Sequence, residues 1–136
     1  KDNYSIPDII SRSIGMNRKR ILIIEDELIH GVFLKSSIEN CGYRVIDIIS
    51  KGEDAIAVAV REKPDLIISD IHLRGGISGG DAVEESTRTA LIPFIFLTAL
   101  NEGPVLDKAT RASPLAVISK PYDEKVLIDL IDSLFK

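Results

Sequence analysis

The sequence predicts an α/β fold: one domain built on a single, doubly wound, five-stranded parallel sheet. Short β-branched apolar runs alternate five times with longer segments of helical spacing, which is typical of a parallel sheet covered by helices on both faces. The chain has 136 residues, of which 45% are apolar, enough for one ordinary core. Aromatic residues make up 5% and Trp is absent, so aliphatic side chains must build that core.

The first strand and helix follow residues 1–18, a polar stretch that we predict to be an N-terminal tail or linker. Residues 21–24 form a continuous apolar run, the pattern of a strand buried on both faces. Residues 27–41 have helical spacing, and Gly42 supplies the helix stop. The apolar positions of this helix are Leu28, Ile29, Val32, Phe33, Ile38 and Cys41.

The second strand is predicted at residues 43–49, which are rich in β-branched residues. Ser50 and Glu53 have the three-residue spacing of a capping box, which predicts a helix that runs through Glu62. Pro64 ends this helix, because proline cannot donate the next helical hydrogen bond.

Three further strand–helix pairs complete the predicted sheet. The strands are predicted at residues 66–68, 94–97 and 115–118, and the helices at residues 81–89 (after a Gly-rich loop at 74–80), at residues 105–112 and from Asp123 onward. Right-handed crossovers leave few topologies, and the flavodoxin-like (βα)5 strand order 2-1-3-4-5 is the common one at this size.

Polar side chains follow the carboxyl ends of four predicted strands. They are Glu25 and Asp26 after the first strand, Ser69 and Asp70 after the third, Thr98 after the fourth, and Ser119 and Lys120 after the fifth. In open α/β sheets, ligands bind at this edge beside the switch point, here between the first and third strands. We therefore expect the candidate site at this edge.

The three carboxylates of that edge, Glu25, Asp26 and Asp70, would repel one another unless a cation neutralises them. Mg²⁺ is suited to this, because it binds one or two carboxylates and bridges to phosphate. Lys120 offers a charge and Thr98 a hydroxyl donor for phosphoryl oxygens. Taken alone, Glu25 and Asp26 would equally well cap a helix, but the combination supplies the parts that phosphoryl transfer requires: an oxygen nucleophile, a metal site, a cation and a hydroxyl donor.

Composition argues against several other classes of protein. The net charge is −4, which disfavours a nucleic-acid surface. Cys41 is the sole cysteine, so there is neither a disulfide framework nor metal-type cysteine spacing. No apolar run is long enough for a membrane span or a signal peptide, and we expect a cytoplasmic protein. The first residue is Lys1 rather than Met, which is compatible with an excised or processed piece of a longer chain, and the end at Lys136 fits a stand-alone regulator or an excised domain equally well.

Four segments resemble the receiver domain of bacterial two-component response regulators, over residues 19–136. They are ILIIEDE at 21–27, PDLIISDI at 64–71, FLTA at 96–99 and KP at 120–121. The resemblance implies that Asp70 accepts a phosphoryl group from a sensor histidine kinase or phosphotransfer protein. The domain would then switch conformation to regulate an unidentified output. It would be a regulatory domain that assists its own phosphorylation and dephosphorylation, rather than a conventional enzyme.

The resemblance also implies how Mg²⁺ is bound. Asp26 would bind it directly, Glu25 through a metal-bound water, and Asp70 as a third carboxylate ligand. His72 would contribute its backbone carbonyl.

The remaining implied roles concern the phosphoryl group. Thr98 and the backbone N–H of Ala99 would hold phosphoryl oxygens, and Lys120 would pair with another. The bond between Lys120 and Pro121 would be cis and would aim the lysine into the site. On phosphorylation Thr98 would move inward, and the surface around the fourth helix, fifth strand and fifth helix would change with it.

The sequence departs from the family pattern at several positions. Glu25 replaces the more usual Asp, Val117 stands where many members have Tyr or Phe, and Arg74 stands where Pro is common. We expect His72 to be a loop residue; the alternative is that its imidazole lies beside the phosphoryl group and alters the dephosphorylation rate. We expect His30, on the first helix, to be a surface residue without a role.

Other functions fit the sequence less well. A small aspartate-nucleophile phosphohydrolase would have a second Asp two residues after the first, where this chain has His72. A degenerate receiver that binds partners without phosphorylation would not need the retained site residues. An FMN carrier would be repelled by the acidic first loop, and no P-loop motif exists. The sequence identifies neither the kinase nor the output, and it leaves open whether the chain forms a homodimer.

Overall fold

The structure is a computed structural model that describes residues 18–71, 91–99, 104–111 and 113–136. The elements in chain order are β1 (Arg20–Ile24), α1 (Leu28–Asn40), β2 (Arg44–Ile49), α2 (Gly52–Glu62), β3 (Leu66–Asp70), β4 (Phe94–Thr98), α3 (Pro104–Arg111), β5 (Ala116–Ser119) and α4 (Glu124–Phe135). Residues 1–17 of the predicted tail, the loop at 74–80, the helix at 81–89 and His72 lie outside the described residues.

The five strands form one parallel sheet in the order β2-β1-β3-β4-β5, which confirms the predicted fold class and strand order. The strand ends are aligned. Ile24 pairs with Ser69 across β1 and β3, and Asp70 pairs with Leu97 across β3 and β4. The carboxyl ends of β1, β3 and β4 therefore meet at one edge, as the position of the candidate site requires.

The core has two halves, one on each face of the sheet. Alternate residues of β1 point to opposite faces, with Leu22 in one half and Ile23 in the other. The first half is completed by α2 through Ala55, Val58 and Ala59. The second is completed by α1 and α4 through Leu34, Ile38, Leu127 and Ile131. Burial on both faces explains why β1, β3 and β4 are continuous apolar runs.

The face of α1 that packs on the sheet differs from the apolar positions that the sequence suggests. Gly31, Leu34 and Ile38 are its buried residues. A Cβ built on Gly31 would lie 2.8 Å from Cγ2 of Ile48, so the glycine allows helix and sheet to approach closely. Of the other apolar positions, Cys41 is half-buried, whereas four are exposed: Leu28 by 69%, Ile29 by 68%, Val32 by 50% and Phe33 by 67%. Apolar spacing alone therefore did not identify the packing face.

The helix ends agree with the sequence in one case and disagree in another. The predicted capping box of Ser50 and Glu53 is wrong, because α2 begins at Gly52 with Lys51 as its N-cap and without a side-chain capping bond. Ser50 thus lies one residue outside the capping position. At α4 the predicted start is confirmed, since the Asp123 side chain accepts a hydrogen bond from the backbone N–H of Lys125. Within the described part of the chain, every helix is too short or too polar to cross a bilayer.

Candidate functional site

The candidate site lies where β1 and β3 end side by side at the centre of the sheet. Glu25 and Asp26 follow β1 directly, and Asp70 is the last residue of β3. One carboxylate oxygen from each of the three lies within 4.8 Å of the others. The structure therefore brings together the three acidic side chains that the sequence predicted at this edge.

Burial differs among these carboxylates. Glu25 is only 4% exposed, whereas Asp26 and Asp70 are partly exposed. Burial raises the pKa of the Glu25 carboxyl, and the nearby Asp70 raises it too. The Glu27 N–H and the Lys120 cation oppose this, but the net pKa is raised. The site thus holds concentrated negative charge that is only partly compensated by its own lysine.

That lysine is Lys120, which follows β5. Its ammonium nitrogen lies 3.0 Å from Oδ2 of Asp70 and 3.2 Å from Oε1 of Glu25. Burial lowers the pKa of Lys120, but the hydrogen bond to Asp70 and the charges of both carboxylates outweigh burial and raise the pKa overall. Lys120 is therefore held as a cation between two of the three acids. The bond between Lys120 and Pro121 is cis, as the family resemblance implied.

Thr98 and Ala99 lie at the end of β4, next to β3. Thr98 is 1% exposed, and it follows directly on Leu97, the residue paired with Asp70. Ala99 is exposed and lines a cavity together with Glu25 and Lys120. Both residues thus lie at the edge predicted for them.

The cavity beside the site has a volume of about 540 Å³. Its apolar wall comes from α1, β4 and the segment before α4: Phe33, Leu34, Leu97, Pro121 and Tyr122. Its polar groups include Glu25 and Lys120, and also His30, whose ring pairs with Glu27 at 3.3 Å. The acidic site therefore continues into an apolar groove along α1.

Two contacts at the site were not predicted from the sequence. The hydroxyl of Ser69, a fully buried residue, donates a hydrogen bond of 2.8 Å to the carbonyl of Asp70. The second is the contact between Lys120 and Glu25. For Glu25, the family resemblance implied only a role in binding the metal through a water molecule. The sole signal for that contact was the longer side chain of Glu at a position where Asp is usual.

The donor set fits a hard divalent cation such as Mg²⁺. The three neighbouring groups offer carboxylate oxygens, the ligands that Mg²⁺ prefers, and two of them are open to water, which Mg²⁺ retains when bound. The fourth predicted group, the backbone carbonyl of His72, lies outside the described residues. Val117, at the position where an aromatic residue is more usual, is partly buried and packs against the core half on the α2 face.

Comparison with known protein families gives a match over most of the chain. The family model described as "Response regulator receiver domain" matches residues 21–132. The chain is 31% identical to the transcriptional regulatory protein PdtaR of Mycobacterium tuberculosis over 116 residues, which cover 84% of this chain and 55% of PdtaR. It is 38% identical to the phyllosphere-induced regulator PhyR of Methylorubrum extorquens over 103 residues, covering 75% of this chain and 38% of PhyR.

A solved structure shows the same fold. The signal receiver domain of a modulated diguanylate cyclase from Desulfovibrio desulfuricans G20 superposes with a TM-score of 0.81 at 26% identity, covering 86% of this chain and 93% of that one. The chain spans about half of PdtaR and less of PhyR, so these comparisons concern the receiver-like part of longer relatives.

Proposed function

Since this chain belongs to the response regulator receiver domain family, a regulatory module of two-component signalling, we propose that Asp70 accepts a phosphoryl group from a phosphohistidine. The donor would be a sensor histidine kinase or a phosphotransfer protein. The observation that supports this most directly is the Asp70 carboxylate at the sheet edge, 3.0 Å from the Lys120 ammonium and beside two further acids.

The proposed step moves one phosphoryl group. A carboxylate oxygen of Asp70 attacks phosphorus, the P–N bond of the phosphohistidine breaks, and its electron pair returns to the imidazole of the donor. Lys120 stabilises the charge on the phosphoryl oxygens, and Thr98 with the Ala99 N–H binds others. The product is an acyl phosphate on Asp70, which shifts the domain toward another conformation that regulates an output.

Mg²⁺ is the proposed cofactor. Glu25, Asp26, Asp70 and the backbone carbonyl of His72 would hold it, and when bound it neutralises charge on carboxylate and phosphoryl oxygens. In its absence, the acidic cluster disfavours the approach of an anionic donor. The domain proposed to carry this activity covers residues 19–136, with residues 1–18 as a tail or linker, and we propose a cytoplasmic location.

The test is incubation of the purified chain with acetyl phosphate and Mg²⁺, followed by intact mass spectrometry. We expect a mass gain of one phosphoryl group per chain, and we expect excess EDTA to suppress it. No gain in the wild type would contradict the proposal and favour a degenerate receiver. Continued release of inorganic phosphate from several small phosphate esters would favour a phosphohydrolase.

The surface proposed for the phosphoryl donor is the α1 apolar face, formed by Leu28, Ile29, Val32 and Phe33. These side chains are all at least half exposed, and contiguous exposed apolar patches mark interaction sites in soluble proteins. Phe33 lines the same cavity as Glu25 and Lys120. A donor docked here would place its phosphohistidine next to Asp70. This face therefore suits the phosphoryl donor better than it suits a partner that has no contact with Asp70.

Phe33→Glu is expected to slow phosphotransfer from a kinase by about tenfold or more. The substitution removes an aromatic side chain that the docked kinase would bury. Labelling by acetyl phosphate, which needs no docking surface, should stay within about twofold of wild type. The kinase used is the one that phosphorylates the wild type fastest in a panel of autophosphorylated sensor kinases.

The matched control is Val60→Glu on α2, another exposed apolar position and one on the opposite face of the sheet from α1. Equal slowing by both substitutions, or slowing of the acetyl phosphate reaction by Phe33→Glu, would contradict docking at the α1 apolar face.

A further inference from the structure

We infer that Glu25 is a positioning residue for Lys120, beyond any part that it takes in binding metal. The two oxygens of its carboxylate have separate partners. Oε2 accepts a hydrogen bond of 3.2 Å from the backbone N–H of Glu27, and Oε1 accepts one of 3.2 Å from the Lys120 ammonium. The inference rests on the proposed function, because it concerns how the lysine is held for the phosphoryl group.

The Glu25 side chain is fixed in place by its surroundings. It is only 4% exposed, and α1 passes close beside it at Gly31. A Cβ built on Gly31 would lie 3.8 Å from Cγ of Glu25, an ordinary van der Waals distance, so α1 runs alongside the stem of the acid. With one oxygen bound to the backbone and its stem packed beside α1, the other oxygen points to Lys120 from a defined position.

The lysine needs such an anchor because its ammonium is a point charge on a flexible four-carbon stem, without the rigid fork of an arginine. Asp70, its other partner, is the group that reacts. Once Asp70 carries a phosphoryl group, that carboxylate no longer offers the same ion pair. Glu25 is unchanged by the reaction, so it keeps the ammonium at the site throughout.

An aspartate at position 25 separates this role from a metal role. It retains the negative charge, but it is shorter by one C–C bond of about 1.5 Å. From the same backbone, its oxygen would fall outside hydrogen-bond reach of Lys120. An acid that acts only through a metal-bound water tolerates this change, whereas one that anchors a lysine does not.

The experiment is a double-mutant cycle with Glu25→Asp, Lys120→Ala and the double variant, using acetyl phosphate and Mg²⁺. We expect Glu25→Asp to slow phosphorylation by about tenfold in the wild-type background and to have no further effect when Lys120 is already alanine. The dissociation constant for Mg²⁺, measured by calorimetry, should change by less than about threefold. Equal slowing in both backgrounds, or a loss of Mg²⁺ affinity that matches the rate loss, would overturn the inference.

A second readout does not depend on phosphorylation. NMR of ¹⁵N-lysine side chains should show a slowly exchanging Lys120 ammonium that persists in Asp70→Ala and disappears in Glu25→Asp. The opposite pattern would overturn the inference. If the wild type gains no phosphoryl group, the proposed function fails, but this NMR comparison still decides whether Glu25 anchors the lysine. Glu25→Ala, which removes the carboxylate entirely, serves as a second variant if Glu25→Asp folds poorly, and the slowly exchanging Lys120 ammonium should disappear in it as well.

Discussion

Asp70→Asn is expected to abolish the mass gain with acetyl phosphate and Mg²⁺. The amide has nearly the same shape as the carboxylate, but it lacks an anionic oxygen to attack phosphorus. Position 70 is also where the lysine and the two other acids converge, so no described neighbour can replace it in the same geometry. Intact mass measures the loss, and peptide mapping of the wild type locates the label.

The control for this variant is Asp47→Asn, at an exposed residue of β2. It removes one carboxylate from the same sheet without touching the site, and its mass gain should equal that of the wild type. Circular dichroism should show both variants folded. Undiminished labelling of Asp70→Asn would place the nucleophile elsewhere and contradict the proposed function.

Phe96→Ala is expected to lower the free energy of unfolding by about 3–5 kcal/mol. The ring is fully buried in β4 and meets Phe94 edge-on, with the centroids 5.1 Å apart. Truncation removes both the apolar burial and this aromatic contact and leaves a cavity. Urea denaturation followed by circular dichroism gives the value.

Phe33→Ala is the matched control, because it makes the same chemical change at a ring that is 67% exposed. Its effect should stay within about 0.5 kcal/mol. Domains of this kind have total stabilities of about 5–15 kcal/mol, so Phe96→Leu, a smaller truncation, serves if the alanine variant is unfolded. A loss below about 1 kcal/mol for Phe96→Ala would contradict the description of the core.

The fold was largely predictable because burial on both faces leaves a strong trace in the sequence. A strand such as β3 must be apolar at nearly every position, and the residues that follow it are polar because they leave the core. The convergence of Glu25, Asp26 and Asp70 followed from topology alone, since parallel strands end at the same edge.

The features that the sequence did not predict depend on how side chains pack between elements that are distant in the chain. The packing face of α1 is set by Gly31, whose contribution is the absence of a side chain against Ile48, and apolar periodicity does not register such an absence. The contact of Lys120 with Glu25 joins residues from strands that are not neighbours in the sheet. It depends on side-chain reach, which strand order does not specify.

The central position of β3 has a consequence for how a signal leaves Asp70. The strand is hydrogen-bonded on both sides, and Leu66, Ile67 and Ile68 are fully buried. Breaking its backbone bonds would cost nearly as much as unfolding the domain, because such strands belong to the last unit to open. Asp70, the proposed phosphoacceptor, thus stands at the end of a strand that is among the least deformable elements of the described residues. We therefore expect any response to modification of Asp70 to pass through the side chains around the strand end rather than through the strand itself.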